Sequence, residues 1–218
     1  GGETATMKQF VIPGTAEFAG SAIGVIKSKK NLVTDKKLIE GDRIVLIKSN
    51  GVNANGISLT RAIAKKVRGG YGAKLPSGQI YGEALLTPSN IYAKLIHDLQ
   101  KAKIDIHYIS NITGHGLRKI MRARTKLTYI VENILEPQEV FTFIQKHANI
   151  SDFEMYQTYN MGMDYAIFVS KKDVEKTLKI IKKNKFQGID AGYVEKGDKQ
   201  VIIKPKNLVY KGDTLDLR

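Results

Sequence analysis

Ser49-Asn50-Gly51-Val52-Asn53-Ala54-Asn55-Gly56-Ile57-Ser58 follows the apolar run Ile44-Val45-Leu46-Ile47 and leads into a helical pattern that starts near Ser58. The same order of strand, glycine turn and helix recurs at Ile112-Thr113-Gly114-His115-Gly116-Leu117. That stretch lies between a strand predicted at Ile104–Ile109 and a helix predicted from Arg118 to Lys126. Such a junction favours anions. Glycine lets backbone N–H groups approach a phosphate, and a helix N-terminus adds unpaired donors and a partial positive charge. Two such turns in one domain predict a phosphorylated small molecule held at both ends. The same spelling also serves an ordinary βα connection in which glycine supplies only turn geometry.

Outward from these turns the chain alternates strands with helices. Phe18–Ile26 is small and apolar throughout, as in a strand covered on both sides. Pro13-Gly14 marks a turn before it, and Glu40-Gly41-Asp42 a turn before the strand Arg43–Ile47. Ser58–Val67 reads as a helix and Arg68–Gly82 as a glycine-rich loop without a core pattern. Pro88 opens a helix to about Lys101, with Ile91, Leu95, Ile96 and Leu99 on its buried face. Strands follow at Leu127–Glu132, Asp164–Val169, Gly188–Val194 and Gln200–Ile203, with helices at Pro137–Ala148 and Lys171–Asn184. The class predicted is a layered α/β (α+β) domain, a mixed sheet with packed helices.

Composition narrows the functions. The chain has 218 residues, 42% of them hydrophobic, which suffices for a sizeable core. It has no cysteine, so disulfides, thiolate metal sites and a cysteine nucleophile are excluded. No apolar run approaches the ~20 residues of a membrane helix, and no membrane partner is expected. A cytoplasmic location fits the missing cysteines. The net charge of +14 is mostly lysine, scattered over Lys27–Lys30, Lys36-Lys37, Lys65-Lys66, Lys171–Lys185 and Lys196–Lys211. In the 171–185 helix Val174, Leu178 and Ile181 share one face and lysines fill the rest, the pattern of a solvated amphipathic helix. Without interleaved aromatic residues, no nucleic-acid partner is expected. His97, His107 and His147 lie in helix or strand patterns without metal-type spacing, so zinc is not expected.

The motifs taken in order resemble the aminoimidazole ribonucleotide synthetase (phosphoribosylformylglycinamidine cyclo-ligase) family. Gly1-Gly2-Glu3-Thr4-Ala5-Thr6-Met7 is similar to its Gly-Gly-Glu-Thr-Ala-Glu-Met segment, and Ala19–Val25 to the strand that follows. Ser49–Leu59 resembles its Ser-Ser-Gly-x-His-Ser-Asn-Gly-x-Ser-Leu loop. Leu86–Tyr92 resembles Leu-Thr-Pro-Thr-Arg-Ile-Tyr, and Ile112–Leu117 resembles Ile-Thr-Gly-Gly-Gly-Leu. Glu154–Gly162 is similar to Glu-Met-Tyr-Arg-Thr-Phe-Asn-Met-Gly. Some departures from the pattern bear on chemistry. Asn53 stands for a histidine, His115 for a glycine, Thr6 for an acidic residue and Asp164 for a glycine. The family's N-terminal half, with its Asp-Gly-Val-Gly-Thr-Lys segment, has no counterpart here.

The resemblance implies a fold like the family's C-terminal domain over residues 39–218, with a remnant of the nucleotide-binding domain, including one strand, in 1–38. It implies an ATP- and Mg²⁺-dependent cyclo-ligase of purine biosynthesis, converting formylglycinamidine ribonucleotide to aminoimidazole ribonucleotide. That chemistry rests on orientation, metal and phosphate stabilisation more than on a protein nucleophile, and no catalytic residue is assigned. Ser49, Gly51, Asn53, Asn55 and Gly56 are candidates for the ribose phosphate. Ser58 serves either there or as a helix cap, and Arg61 either reaches the anion or is simply exposed. Thr113, Gly114, His115 and Gly116 form a second anion or substrate-edge site. Glu3 and Thr4 resemble the segment lining the nucleotide and magnesium region, with Glu3 as metal ligand. Glu154, Thr158 and Asn160 either line the cleft or are structural. The missing half, in cis or as a separate chain, and a homodimer are the expected partners, and this chain alone is expected to be inactive. Two alternatives stay open: another ATP-dependent kinase or ligase of the superfamily, or a non-catalytic binding domain of the same fold.

Overall fold

A computed structural model describes Gly20, Ser21, residues 23–26 and residues 28–215. The chain divides into two compact units, Gly1–Leu32 and Val33–Arg218. In the first, the described residues hold one turn of 3₁₀ helix, Lys29–Asn31, capped by Ser28. The strand expected at Phe18–Ile26 is not formed by its described residues, and Ile23, Val25 and Ile26 are exposed. A strand needs a neighbour for its backbone groups, and the described residues of this stretch belong to no ladder of the sheet. The Pro13-Gly14 turn lies outside the described residues.

The second unit is built on a seven-stranded mixed sheet, ordered β2-β4-β1-β5-β3-β6-β7. The strands are β1 Arg43–Lys48, β2 Ile106–Asn111, β3 Thr128–Val131, β4 Met163–Val169, β5 Gly188–Glu195, β6 Gln200–Ile203 and β7 Leu208–Lys211. Only β3 and β6 pair in parallel, and every other ladder is antiparallel. The helices are α1 Ile57–Lys66, α2 Tyr81–Leu85, α3 Ala93–Lys101, α4 Glu139–Ala148, α5 Asp152–Thr158 and α6 Val174–Lys183.

The period-two rule explains how the sheet is covered. Ile44 and Leu46 of β1 point to one face, where they join Ile63 of α1, Tyr81 of α2, Phe141 and Ile144 of α4, and Tyr156 of α5. Val45 and Ile47 point to the other face and meet Leu95 and Leu99 of α3 and Ile181 of α6. Helices therefore cover both faces at β1, which is why that strand reads as an unbroken apolar run. Each fully buried Leu or Ile contributes roughly 1.5–3 kcal/mol of transfer free energy.

Three local expectations are corrected. The stretch after α1 is not structureless. It carries a 3₁₀ turn at Gly70–Gly72, a bridge between Lys74 and Ile80, and then α2. Leu75 and Tyr81 are buried there, and the Tyr81 hydroxyl donates to Thr60 O at 3.1 Å. Helix α3 starts at Ala93, five residues after Pro88, and Ile91 is exposed. The Asn90 side chain donates to Lys48 O and Tyr92 Oη, both at 3.0 Å, in place of a helical arrangement. After the second glycine turn there is no α-helix. Gly116–Arg122 is 3₁₀ helix interrupted at Met121.

Candidate functional site

Sheet order brings the two glycine turns together. Strand β4 lies between β1 and β2 and is antiparallel to both, so β1 and β2 end at the edge where β4 begins. Ile47 of β1 and Asn111 of β2 both face Tyr165 of β4. The turns at 49–58 and 112–117 leave from that shared edge. They touch where a Cβ on Gly114 would lie 3.5 Å from Asn55 Oδ1.

The first turn is pinned from beneath. Ser49 is buried, and its N–H donates to Gly162 O at 2.9 Å. Its Oγ lies 3.1 Å from Asn160 Oδ1 and 3.3 Å from Gln138 Oε1, so the hydroxyl faces the protein. Asn160, also buried, donates to Gly51 O at 2.9 Å and accepts from Gly162 N at 3.0 Å. Gln138 donates to Ser49 O. Asn160, a cleft candidate in the sequence, is thus an anchor of the turn's backbone.

Gly56 ends the turn as the N-cap of α1, with φ +65°. A Cβ there would meet the Tyr159 ring at 2.3 Å, while the Tyr159 hydroxyl donates to Gly56 O at 3.0 Å. Close packing and left-handed backbone both require glycine. No side chain caps α1, so Ser58, exposed in the first turn of the helix, is not its cap. Among the described residues no backbone N–H from Gly51 to Ser58 makes a well-aligned hydrogen bond to a protein acceptor, although the turn at Asn53-Ala54 brings Asn55 N–H toward Val52 O. The next donors are Leu59 and Thr60, both to Gly56 O at 3.1 Å. A run of unpaired amides at the start of a ten-residue helix can donate to an anion. Arg61 sits elsewhere, beside Ile57, Thr60, Tyr71, Gly82, Leu85 and Leu86 in a depression of about 370 Å³.

The second turn works differently. Ile112 N donates to Asp164 O and Gly116 N to Thr113 O, both at 2.8 Å. Gly116 has φ +55°, and a Cβ on it would lie 1.9 Å from Tyr156 O, so this glycine is required by packing on α5. With no α-helix following, positive potential comes from side chains. Lys119 Nζ donates to Thr113 Oγ1, and the Nε of Arg122 is buried without a partner. Burial, then the charges of Arg122, Arg118 and Lys119, hold the His115 imidazole below its ordinary pKa. Burial and Arg122 likewise lower the Lys119 ammonium. Among the described residues neither the three cations Arg118, Lys119 and Arg122 nor the His115 ring pairs with a carboxylate. Arg118 is spent on structure, donating to His115 O at 3.3 Å, Gln157 O at 3.1 Å and Thr214 O.

A buried carboxylate that the sequence marked only as a departure sits beneath both turns. Asp164 is 2% exposed and accepts from Asn53 Nδ2 at 3.0 Å and from the Tyr92 hydroxyl. The departures at 53 and 164 therefore touch. Glu154, by contrast, is exposed and closes a capping box with Ser151 at the start of α5. Thr158 ends that helix, half-buried. Glu3 and Thr4 lie outside the described residues. Among the described residues no group of three His, Cys, Asp or Glu could hold a metal ion, and no helix is long and apolar enough to cross a membrane.

Residues 40–204 match the family model described as AIR synthase related protein, C-terminal domain. The phosphoribosylformylglycinamidine cyclo-ligase of Methanosarcina barkeri is 40% identical over 182 residues, covering 83% of this chain and 53% of that protein. That of Methanocaldococcus jannaschii is 36% identical over 185 residues, covering 84% and 52%. The chain thus spans about half the length of the curated relatives it matches. Among solved structures, Escherichia coli HypE, a hydrogenase maturation protein, superposes with a TM-score of 0.52 at 14% identity. The match covers 86% of this chain and 53% of that one. A HypE structure in complex with ATP gives 0.51 at 14%, covering 78% and 49%.

Proposed function

This chain belongs to the AIR synthase related family, whose C-terminal domain it carries, and we propose that it is the phosphate-holding half of a phosphoribosylformylglycinamidine cyclo-ligase. The observation that carries this reading is the run of unpaired amides from Gly51 to Ser58, which meets, across Asn55 and Gly114, a second turn that carries Lys119 and Arg122 without carboxylate partners. The ligand assigned to this edge is a ribose 5-phosphate ester, with its dianion on the amides of the first turn and its sugar toward Thr113–Gly116. Ser49, Gly51, Asn53, Asn55, Gly56 and Ser58 form or hold the cradle, and Arg61 stands one helical turn further on.

In the proposed reaction the formyl oxygen of the substrate is phosphorylated, and a neighbouring ring-forming nitrogen displaces phosphate to close the imidazole. ATP with Mg²⁺ supplies the phosphoryl group. We assign both to an N-terminal half, in cis or as a separate chain, with Glu3 and Thr4 at its border, where a carboxylate and the nucleotide's phosphates would hold the metal. On this reading residues 1–38 belong to the nucleotide-binding domain, 39–218 form the substrate domain, and the assembly is a cytoplasmic homodimer. What this chain contributes is position. Fixing the phosphate orients the formyl carbon and the nucleophile, where orientation is worth several kcal/mol of the barrier.

Gly114 provides the test, because a side chain there enters the gap without straining the backbone. Gly114→Leu should change stability by less than about 1 kcal/mol, yet weaken ribose 5-phosphate binding at least tenfold while leaving free ribose unaffected. In the protein carrying its N-terminal half, the same change should lower kcat/KM for the ribonucleotide. Equal effects on ester and free sugar would remove the phosphate assignment.

A further inference from the structure

One residue reaches both turns. The Asp164 carboxylate takes a hydrogen bond from Asn53 in the first turn, and its backbone carbonyl takes one from Ile112 at the root of the second. Its other oxygen is bound by Tyr92, the residue that caps α3 and is itself held by Asn90 against Lys48 O at the end of β1. Asn53 is left-handed, φ 55°, a conformation asparagine tolerates. Its side chain is therefore directed downward, onto a carboxylate with 2% of its surface exposed.

The partners of this carboxylate are neutral. From α3 it is faced by Tyr92 and along β4 by Tyr165, and neither is a cation. No lysine, arginine or histidine among the described residues forms an ion pair with it. A buried, unpaired negative charge directly under an anion cradle opposes the anion, since Coulomb energy between unit charges is large where water is excluded. A proton on Asp164 removes that opposition.

We propose that Asp164 is the positioning residue that sets the two glycine turns against each other, and that anion capture between them is linked to proton uptake by its carboxylate. This rests on the phosphate site proposed above. Burial already pushes the Asp164 carboxyl above the usual carboxylate range. A bound anion pushes it further, so the anion and the proton bind together, and affinity falls as pH rises through that raised pKa. Asn53 and Asp164 meet as a hydrogen-bonded pair across 111 positions of sequence.

The test uses sulfate, whose own charge is constant above pH 4, titrated into the 218-residue chain between pH 5 and pH 8 by calorimetry. Wild type should lose affinity with rising pH, by up to about tenfold per unit if one proton is linked. Asp164→Asn should bind with a much flatter profile. It has a route to a stable fold, because Asn53 Oδ1 is buried without a partner and can be turned toward the new amide. His115 is present in both proteins, so its titration cancels in the comparison. Tyr92→Phe, which removes one donor from the carboxylate, should move the wild-type midpoint to higher pH and keeps the test decisive if Asp164→Asn does not fold. Identical pH profiles for wild type and Asp164→Asn, or an unmoved midpoint in Tyr92→Phe, would overturn the role of Asp164 while leaving the phosphate site standing. Sulfate binding by none of the proteins would overturn both.

Discussion

Two glycines in one motif do different jobs, and only coordinates separate them. Gly116 is left-handed and presses against Tyr156 O, so Gly116→Ala should destabilise the fold by about 3 kcal/mol or more, measured by chemical denaturation. Gly114, two residues earlier, meets nothing closer than 3.5 Å, and Gly114→Ala should be close to neutral. Equal losses at the two positions would mean that the second turn is wholly architectural. Ser49 shows the limit of motif reading in the other direction. Its place in a phosphate-type loop suggested a ligand, whereas its hydroxyl is directed at Asn160 and Gln138. Asp164 was visible in the sequence as an odd residue. Its contact with Asn53, 111 positions away, depends on strand order and could not be read from spacing.

Among elements, those with a long, regular period were legible. Strand β1 and helices α4 and α6 lie within a few residues of where their apolar patterns put them. Helix α5 was missed, because seven residues carry too little periodicity, although the signal was present as Ser151 and Glu154 in capping-box spacing. Ser151→Ala removes that cap and should cost about 1 kcal/mol. The loss should appear as a lower Tm with unchanged ribose 5-phosphate affinity, since Tyr159 and Asn160 follow the helix and not its start. An affinity loss larger than the stability loss would show that α5 itself orders the first turn. The predicted helix after Gly116 failed for a tertiary reason. Arg118 is drawn to the distant carbonyls of Gln157 and Thr214 as well as to the local His115 O, which favours a tight 3₁₀ path over a regular α-helix. Strand β7, four residues at the sheet edge, offers almost no pattern to detect.

For the whole molecule, the family, the mixed sheet and its helices follow from the order of motifs, and the meeting of the two turns follows from β4 running antiparallel between β1 and β2. The lysine surplus has a plain reading in this frame, because α6 buries Val174, Thr177 and Ile181 and turns its lysines outward. Duplex DNA binding should therefore be weak, insensitive to sequence and steeply lost with salt in a filter or anisotropy assay. ATP turnover by the 218-residue chain alone should be absent and should appear when the N-terminal half is added. Whether the two turns hold a phosphate between them is read by backbone amide NMR on titrating ribose 5-phosphate. Saturable shifts should concentrate in Gly51–Ser58 and Thr113–Gly116, with far smaller shifts when free ribose is added. Shifts that spare both turns, or that are the same for the sugar without its phosphate, would contradict that placement of the phosphate.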